Sequence, residues 1–221
     1  MHQSLQKLNS IENKISEILV KKQLKINPKI IAISKTFPIS VISPLLESGH
    51  IHYGENKIQE AENKWEGIKE KYQNVALHMV GKLQSNKAKK AIQLFDYIHS
   101  LDNLKLAKLL SRFENELKKK VKIFIQVNIA EENQKTGIRL NELENFYNCC
   151  KKDLNLNIIG LMCIPPIDSD SSKYFKILKQ YSLKLNLNDL SMGMSNDYEQ
   201  AIFCGSTYLR LGMAIFGERS T

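Results

Sequence analysis

Leu5, Leu8, Ile11, Ile15, Ile18 and Leu19 recur at steps of three and four in the opening segment, with polar residues between them. That spacing gathers them on one face of a helix. Beyond them the pattern changes to short, continuous apolar runs that alternate with segments of helical spacing. Residues 29–34 (KIIAIS), IHYG, VALHMVG, YIHS, VKIFIQVNIA, LNIIGLMCI, LSMGMS and YLRLGMAIFG read as strands. Between them, a helix-like segment follows Pro38 and closes at Gly49, and others span 56–72, 85–95, 102–119, 140–152, 171–185 and 197–203. Eight strands separated by single helices suit parallel βα units, and that number predicts a TIM (β/α)8 barrel. A flat doubly wound sheet is disfavoured, because no GxGxxG or GxxxxGK[ST] loop follows any strand. The leading helix has no strand before it, so it is expected to cover the gap left by a missing long helix after strand eight.

Composition narrows the class. The 221 residues are 43% hydrophobic and 25% charged, as in a globular domain, and no Gly/Pro/Ser linker divides them, so one domain over 1–221 is expected. No apolar run approaches the roughly 20 residues needed to cross a bilayer, and MHQSLQKLNSIENK lacks a secretory core. A cytoplasmic protein without membrane contact is expected. Cys149, Cys150, Cys163 and Cys204 form no CxxC pair, which argues for reduced thiols and no metal site. The net charge of +9 comes from 32 basic and 23 acidic residues mixed along the chain, which reads as a solvated surface rather than a nucleic-acid face. Only four of the basic residues are arginines, two of them Arg210 and Arg219 near the carboxyl end. Arginine among so many lysines invites a geometric explanation.

In a TIM barrel the chemistry stands at the carboxyl ends of the strands. At the end of strand one, Ile31, Ile33 and Lys35 share a face by the period of two. A lysine there is partly desolvated, which favours the neutral amine that attacks an aldehyde; a snorkelling lysine is the plain alternative. In strand eight, Leu209 and Leu211 suit the helix layer, so Tyr208, Arg210 and Gly212 point inward. A buried guanidinium needs an acceptor, and no inferred inward carboxylate supplies one. Strand seven ends in Met192-Gly193-Met194-Ser195, where such barrels often bind phosphate. An amine, a phosphate cup and an arginine donor are the parts that hold pyridoxal 5'-phosphate. His78 reads as a hydrogen-bonded interior histidine and Tyr53 as a wall, while Ser206 falls at the wrong end of strand eight.

ISKTFP, HYGENKIQEA, LHMVGKLQSNK, IQVNIAEENQKTGI, GLMCIPP, LSMGMSNDYEQAI and GSTYLRLGMAIFGER resemble, in order, the motif series of the pyridoxal phosphate homeostasis protein family. That family resembles the barrel domain of alanine racemase. The resemblance implies that Lys35 forms the aldimine with pyridoxal 5'-phosphate, that Ser195 contacts phosphate and that Arg210 faces the ring nitrogen. It further implies that the main chain of Gly212 and Met213 completes the phosphate cup, that Asn56 lies near the ring and that Lys135 assists cofactor transfer. Three positions depart from the pattern. Met213 stands where relatives carry threonine, Phe37 where a basic residue is frequent, and Met79 where Phe is usual. The implied function is intracellular vitamin B6 homeostasis and supply, with apo-enzymes as recipients; a monomer is expected. A weak pyridoxal-phosphate-dependent racemase or lyase is the alternative. Racemisation needs a second base, and Lys35 is the single candidate beside the cofactor. An arginine opposite the ring nitrogen also makes the ring a poor electron sink.

Overall fold

A computed structural model describes residues 2–132, 134–167 and 169–218. Eight parallel strands close into a barrel in sequence order: β1 (Lys29–Ile33), β2 (His52–Glu55), β3 (Ala76–Met79), β4 (Tyr97–Leu101), β5 (Lys122–Gln126), β6 (Ile158–Met162), β7 (Asp189–Ser191) and β8 (Tyr208–Leu211). β8 pairs with β1, with Ile31 opposite Arg210 and Ala32 opposite Leu211. The strands are almost wholly buried, because one face meets the helices and the other the barrel interior. This is the TIM barrel that the alternating pattern predicted.

The helices are α1 (Gln3–Lys21), α2 (Ile39–Glu47), α3 (Ile58–Trp65), α4 (Ile68–Lys71), α5 (Ala88–Leu94), α6 (Leu104–Leu117), α7 (Leu143–Asn148), α8 (Ser171–Lys184), α9 (Tyr198–Phe203) and α10 (Met213–Phe216). α1 turns Leu8, Ile11 and Ile15 inward and packs between α2 and α10. Burying each of those side chains contributes about 2 kcal/mol. Lys14 also ion-pairs with Glu199 at 2.5 Å. The leading helix thus covers the gap beside the four-residue α10, as expected.

Three segments are more broken than their periodicity suggests. The span 56–72 divides into α3 and α4 because Gly67 adopts φ +74°, where a helix cannot continue. Residues 140–152 hold α7 and then a π turn over Cys149–Asp153. The run 208–217 is not one strand: the chain turns at Gly212 into α10. The Ala214 N–H there donates to Ser195 Oγ at 3.1 Å, which satisfies one of the first-turn amides.

Six side chains, Ile31, Ile33, Tyr97, Phe124, Met162 and Tyr208, form an apolar cluster apart from the main core, while Leu209 and Leu211 join the outer core. The inward parity read for strand eight therefore holds. Barrel interiors usually stack aliphatic layers. Here rings predominate: His78 stacks on Tyr97 at 4.1 Å and His99 on Phe124 at 4.3 Å. At the amino-terminal end, Lys29 Nζ donates to the Tyr208 hydroxyl and Lys122 Nζ to that of Tyr97, each at 3.0 Å.

Candidate functional site

Ser195, Gly212, Met213, Lys35 and Asn56 stand past the carboxyl ends of four consecutive strands, β7, β8, β1 and β2, and Arg210 lies within β8. Lys35 lies two residues beyond β1 and is half-buried. Arg210, on β8, is 5% exposed, and its backbone N–H donates to the Gly193 carbonyl at 3.0 Å, which continues the β7–β8 pairing. A side chain at Gly212 would put its Cβ 3.4 Å from Ile33 Cβ, so β8 and the end of β1 meet closely there. Ser195 and Asn56 are half-buried, and the Met213 side chain is exposed. Arg219 lies outside the described residues.

The acceptors of Arg210 differ from the carboxylate that a buried arginine usually meets. Nη1 donates to the Ser191 carbonyl at 2.7 Å and to Ser191 Oγ at 2.8 Å, and Nη2 donates to the Cys163 carbonyl at 2.9 Å. These bonds use three of the five guanidinium donors and leave Nε–H and one Nη2 hydrogen outside the set. Burial lowers the guanidinium pKa, opposed by the nearby Cys163 thiol and the Asp197 carboxylate. Among the described residues no carboxylate forms an ion pair with it. Burial also pushes the Cys163 thiol up to about 12, which keeps it neutral.

A second, orphaned group stands at the end of β2: Asn56 Oδ1 is buried without a hydrogen-bond partner among the described residues. A buried acceptor without a donor is costly unless a ligand supplies one. The site therefore offers a cation lacking a counter-ion and an acceptor lacking a donor.

Sequence reasoning missed the group that holds the Lys35 turn. Glu55 is fully buried, and its Oε1 accepts from Ser34 Oγ at 2.7 Å, Lys64 Nζ at 3.0 Å and Trp65 Nε1 at 3.1 Å. Lys64 Nζ also donates to the Ser34 carbonyl at 2.8 Å. Ser34 immediately precedes Lys35, so α3 clamps the turn through this cluster. A glutamate directly after the strand run IHYG was the available signal. Glu55→Ala is expected to destabilise the fold by about 3 kcal/mol, since it leaves a cavity and takes the shared acceptor from the buried Ser34 hydroxyl and Trp65 N–H, while Lys64 keeps its ion pair with Glu60. Urea unfolding measures this, and an unchanged midpoint would refute it.

Other readings resolve plainly. Tyr53 packs against Trp65 at 4.9 Å in the outer core, away from the barrel interior. His78 is a fully buried interior histidine. Ser206 precedes β8 and donates to the Met192 carbonyl at 2.7 Å. Lys135 pairs with Glu132 at 2.7 Å in a loop where Asn128 Nδ2 donates to the Glu132 carbonyl. Gly137 is required there twice over: its φ of +126° is one that side chains rarely adopt, and a Cβ would meet Asn128 N at 2.5 Å.

Residues 7–220 match the family of the alanine racemase N-terminal domain. A pyridoxal phosphate homeostasis protein of Haemophilus influenzae is 35% identical over 224 residues, covering 96% of this chain and 94% of the relative. One from Synechocystis sp. is 38% identical over 200 residues, 86% and 91% of the two chains. The structure of PipY from Synechococcus elongatus with PLP bound superposes with a TM-score of 0.80 at 32% identity, covering 92% of this chain and all of that one. An alanine racemase of Clostridium difficile, 10% identical, shares the fold, with a TM-score of 0.73 over 99% of this chain and 57% of that one. On sequence, length and fold together, this chain belongs to the pyridoxal phosphate homeostasis protein family.

Proposed function

We propose that this protein binds pyridoxal 5'-phosphate and serves intracellular homeostasis and supply of that cofactor rather than turnover of a substrate. The observation that carries this reading is Arg210: a buried guanidinium with donors to spare and no carboxylate suits a ligand with a ring-nitrogen acceptor and a phosphate anion. In this reading Lys35 holds the aldehyde covalently through Nζ, and Arg210 faces the ring nitrogen. Ser195 and the main chain of Gly212 and Met213 receive the phosphate, while Asn56 lies against the ring. When bound, the cofactor supplies an electrophilic aldehyde and an electron-accepting ring. Arg210 stays protonated, so it donates to the ring nitrogen and does not give it a proton. That arrangement holds the group while leaving carbanion chemistry weak. Lys135, ion-paired at the surface of its loop, is the candidate for handing cofactor to apo-enzymes of the same compartment.

The visible spectrum of the purified protein, before and after borohydride, tests the reading. A yellow protein whose reduced cofactor maps to the Lys35 peptide is expected; a label on another lysine overturns the assignment. With L- or D-alanine, the enantiomer ratio should stay nearly constant over hours. Turnover near 10 per second, typical of enzymes, would establish the racemase alternative.

A further inference from the structure

Beneath Arg210 a line of polar groups runs down the barrel interior. His99 Nδ1 lies 2.8 Å from Ser191 Oγ, His78 Nδ1 lies 2.9 Å from His99 Nε2, and His52 Nδ1 lies 2.9 Å from His78 Nε2. The line crosses from β7 to β4, β3 and β2 and ends beside a cavity of about 280 Å³ at the opposite end of the barrel, lined in part by Lys29, His50, His52 and Glu12 of α1. We propose that Ser191 and His99 are positioning residues for Arg210, and that the three histidines beneath form a column of one hydrogen-bond direction that fixes how the guanidinium meets a bound ring. The positioning role rests on the cofactor reading of the site; the direction of the column does not.

The direction follows from donor arithmetic. Arginine can only donate, so Ser191 Oγ accepts from Nη1. The serine proton then needs its own acceptor, and His99 Nδ1 is the ring nitrogen within reach. Acceptance at Nδ1 places the His99 proton on Nε2, which donates to His78 Nδ1, and the same rule sends His78 Nε2–H to His52 Nδ1. The opposite direction would leave a buried serine proton with no acceptor among the described residues. Neutral rings are required throughout, and the surroundings enforce this. His78 and His99 are held well below the usual histidine range by burial, aided by Lys29 and Lys122 for His78 and by Arg210 for His99. Tyr97, Phe124 and Tyr208 supply the remaining walls and bring no carboxylate. With its proton committed downward, Ser191 presents only lone pairs to the guanidinium. Arg210 is thereby held at Nη1 without competition.

The test is nitrogen-15 NMR of histidine-labelled protein, with and without pyridoxal 5'-phosphate, joined to cofactor release on dilution. His52, His78 and His99 should all be neutral Nε2–H forms between pH 6.5 and 8 in both states. Ser191→Ala should move the His99 Nδ1 resonance, speed cofactor release about tenfold and shift the visible band. Ser191→Thr, which keeps the hydroxyl, should restore all three. Nδ1–H forms in the wild type would overturn the column. Equal release and an unmoved band in Ser191→Ala would overturn the positioning role. A wild type that takes up no cofactor overturns the reading of the site instead, whatever the tautomers. Should Ser191→Ala not fold, the wild-type tautomers and the release rate of Ser191→Thr, expected to match wild type, decide.

Discussion

Lys35→Ala is expected to abolish the visible band and the borohydride-fixed label, and to weaken cofactor retention by roughly a hundredfold, since the covalent bond is lost and ring and phosphate contacts remain. Lys35→Arg is the sharper companion. It keeps a cation at the same half-buried position beyond β1, yet a guanidinium stays protonated and forms no covalent link under the same conditions. Both variants should remain folded, because Glu55, Lys64 and Ser34 hold the turn. Ultrafiltration of cofactor-loaded protein followed by absorbance separates the outcomes. Retention equal to wild type in Lys35→Ala would remove Lys35 from the site.

Mild acid should destabilise the protein before ordinary carboxylates titrate. Burial, with His50, Lys29 and Lys122 nearby, lowers His52 from 6.5 to about 4. The unfolded chain therefore takes up its proton first. The stability this histidine contributes is complete above pH 6.5 and is lost as pH falls toward 4, by roughly 3 kcal/mol in all. Burial lowers His78 and His99 in the same sense, so they add to the loss over that window. Urea unfolding at pH 7.5 and pH 5.0 should show a clearly lower midpoint at pH 5.0. Equal midpoints would mean that these rings accept protons within the folded barrel.

The barrel was legible because parallel strands buried on both faces must be continuous apolar runs, and because α2 and α3 bury the residues their spacing picks out: Ile42, Leu45 and Leu46, then Ile58, Ala61 and Trp65. Arg210 was legible for a similar local reason: Leu209 and Leu211 declare the outward face of β8. What escaped depends on register between distant strands. His52, His78 and His99 are separated by 26 and 21 residues, and nothing in the intervening helices announces that their rings touch. Glu55 and Lys64 lie nine residues apart, across a strand-to-helix turn whose path the periodicity does not define. The shortening of strand eight was hidden likewise, because MAIF is equally apolar as strand or helix.

The seam between β1 and β8 has a consequence for synthesis. α1 finds its cover on α10, and β1 finds one of its two partners in β8, both made nearly two hundred residues later. A nascent chain emerging from the ribosome therefore carries an unpaired edge on β1 and an apolar stripe on α1 that only α2 can cover until β8 and α10 are clear of the exit tunnel. At about 5–20 residues per second, that exposure lasts on the order of ten seconds or more. During it, both ends of the seam are open to aggregation and to chaperones that bind apolar segments. The β1–β8 seam cannot close before β8 is made, so loss of α10 should lower the soluble yield during expression.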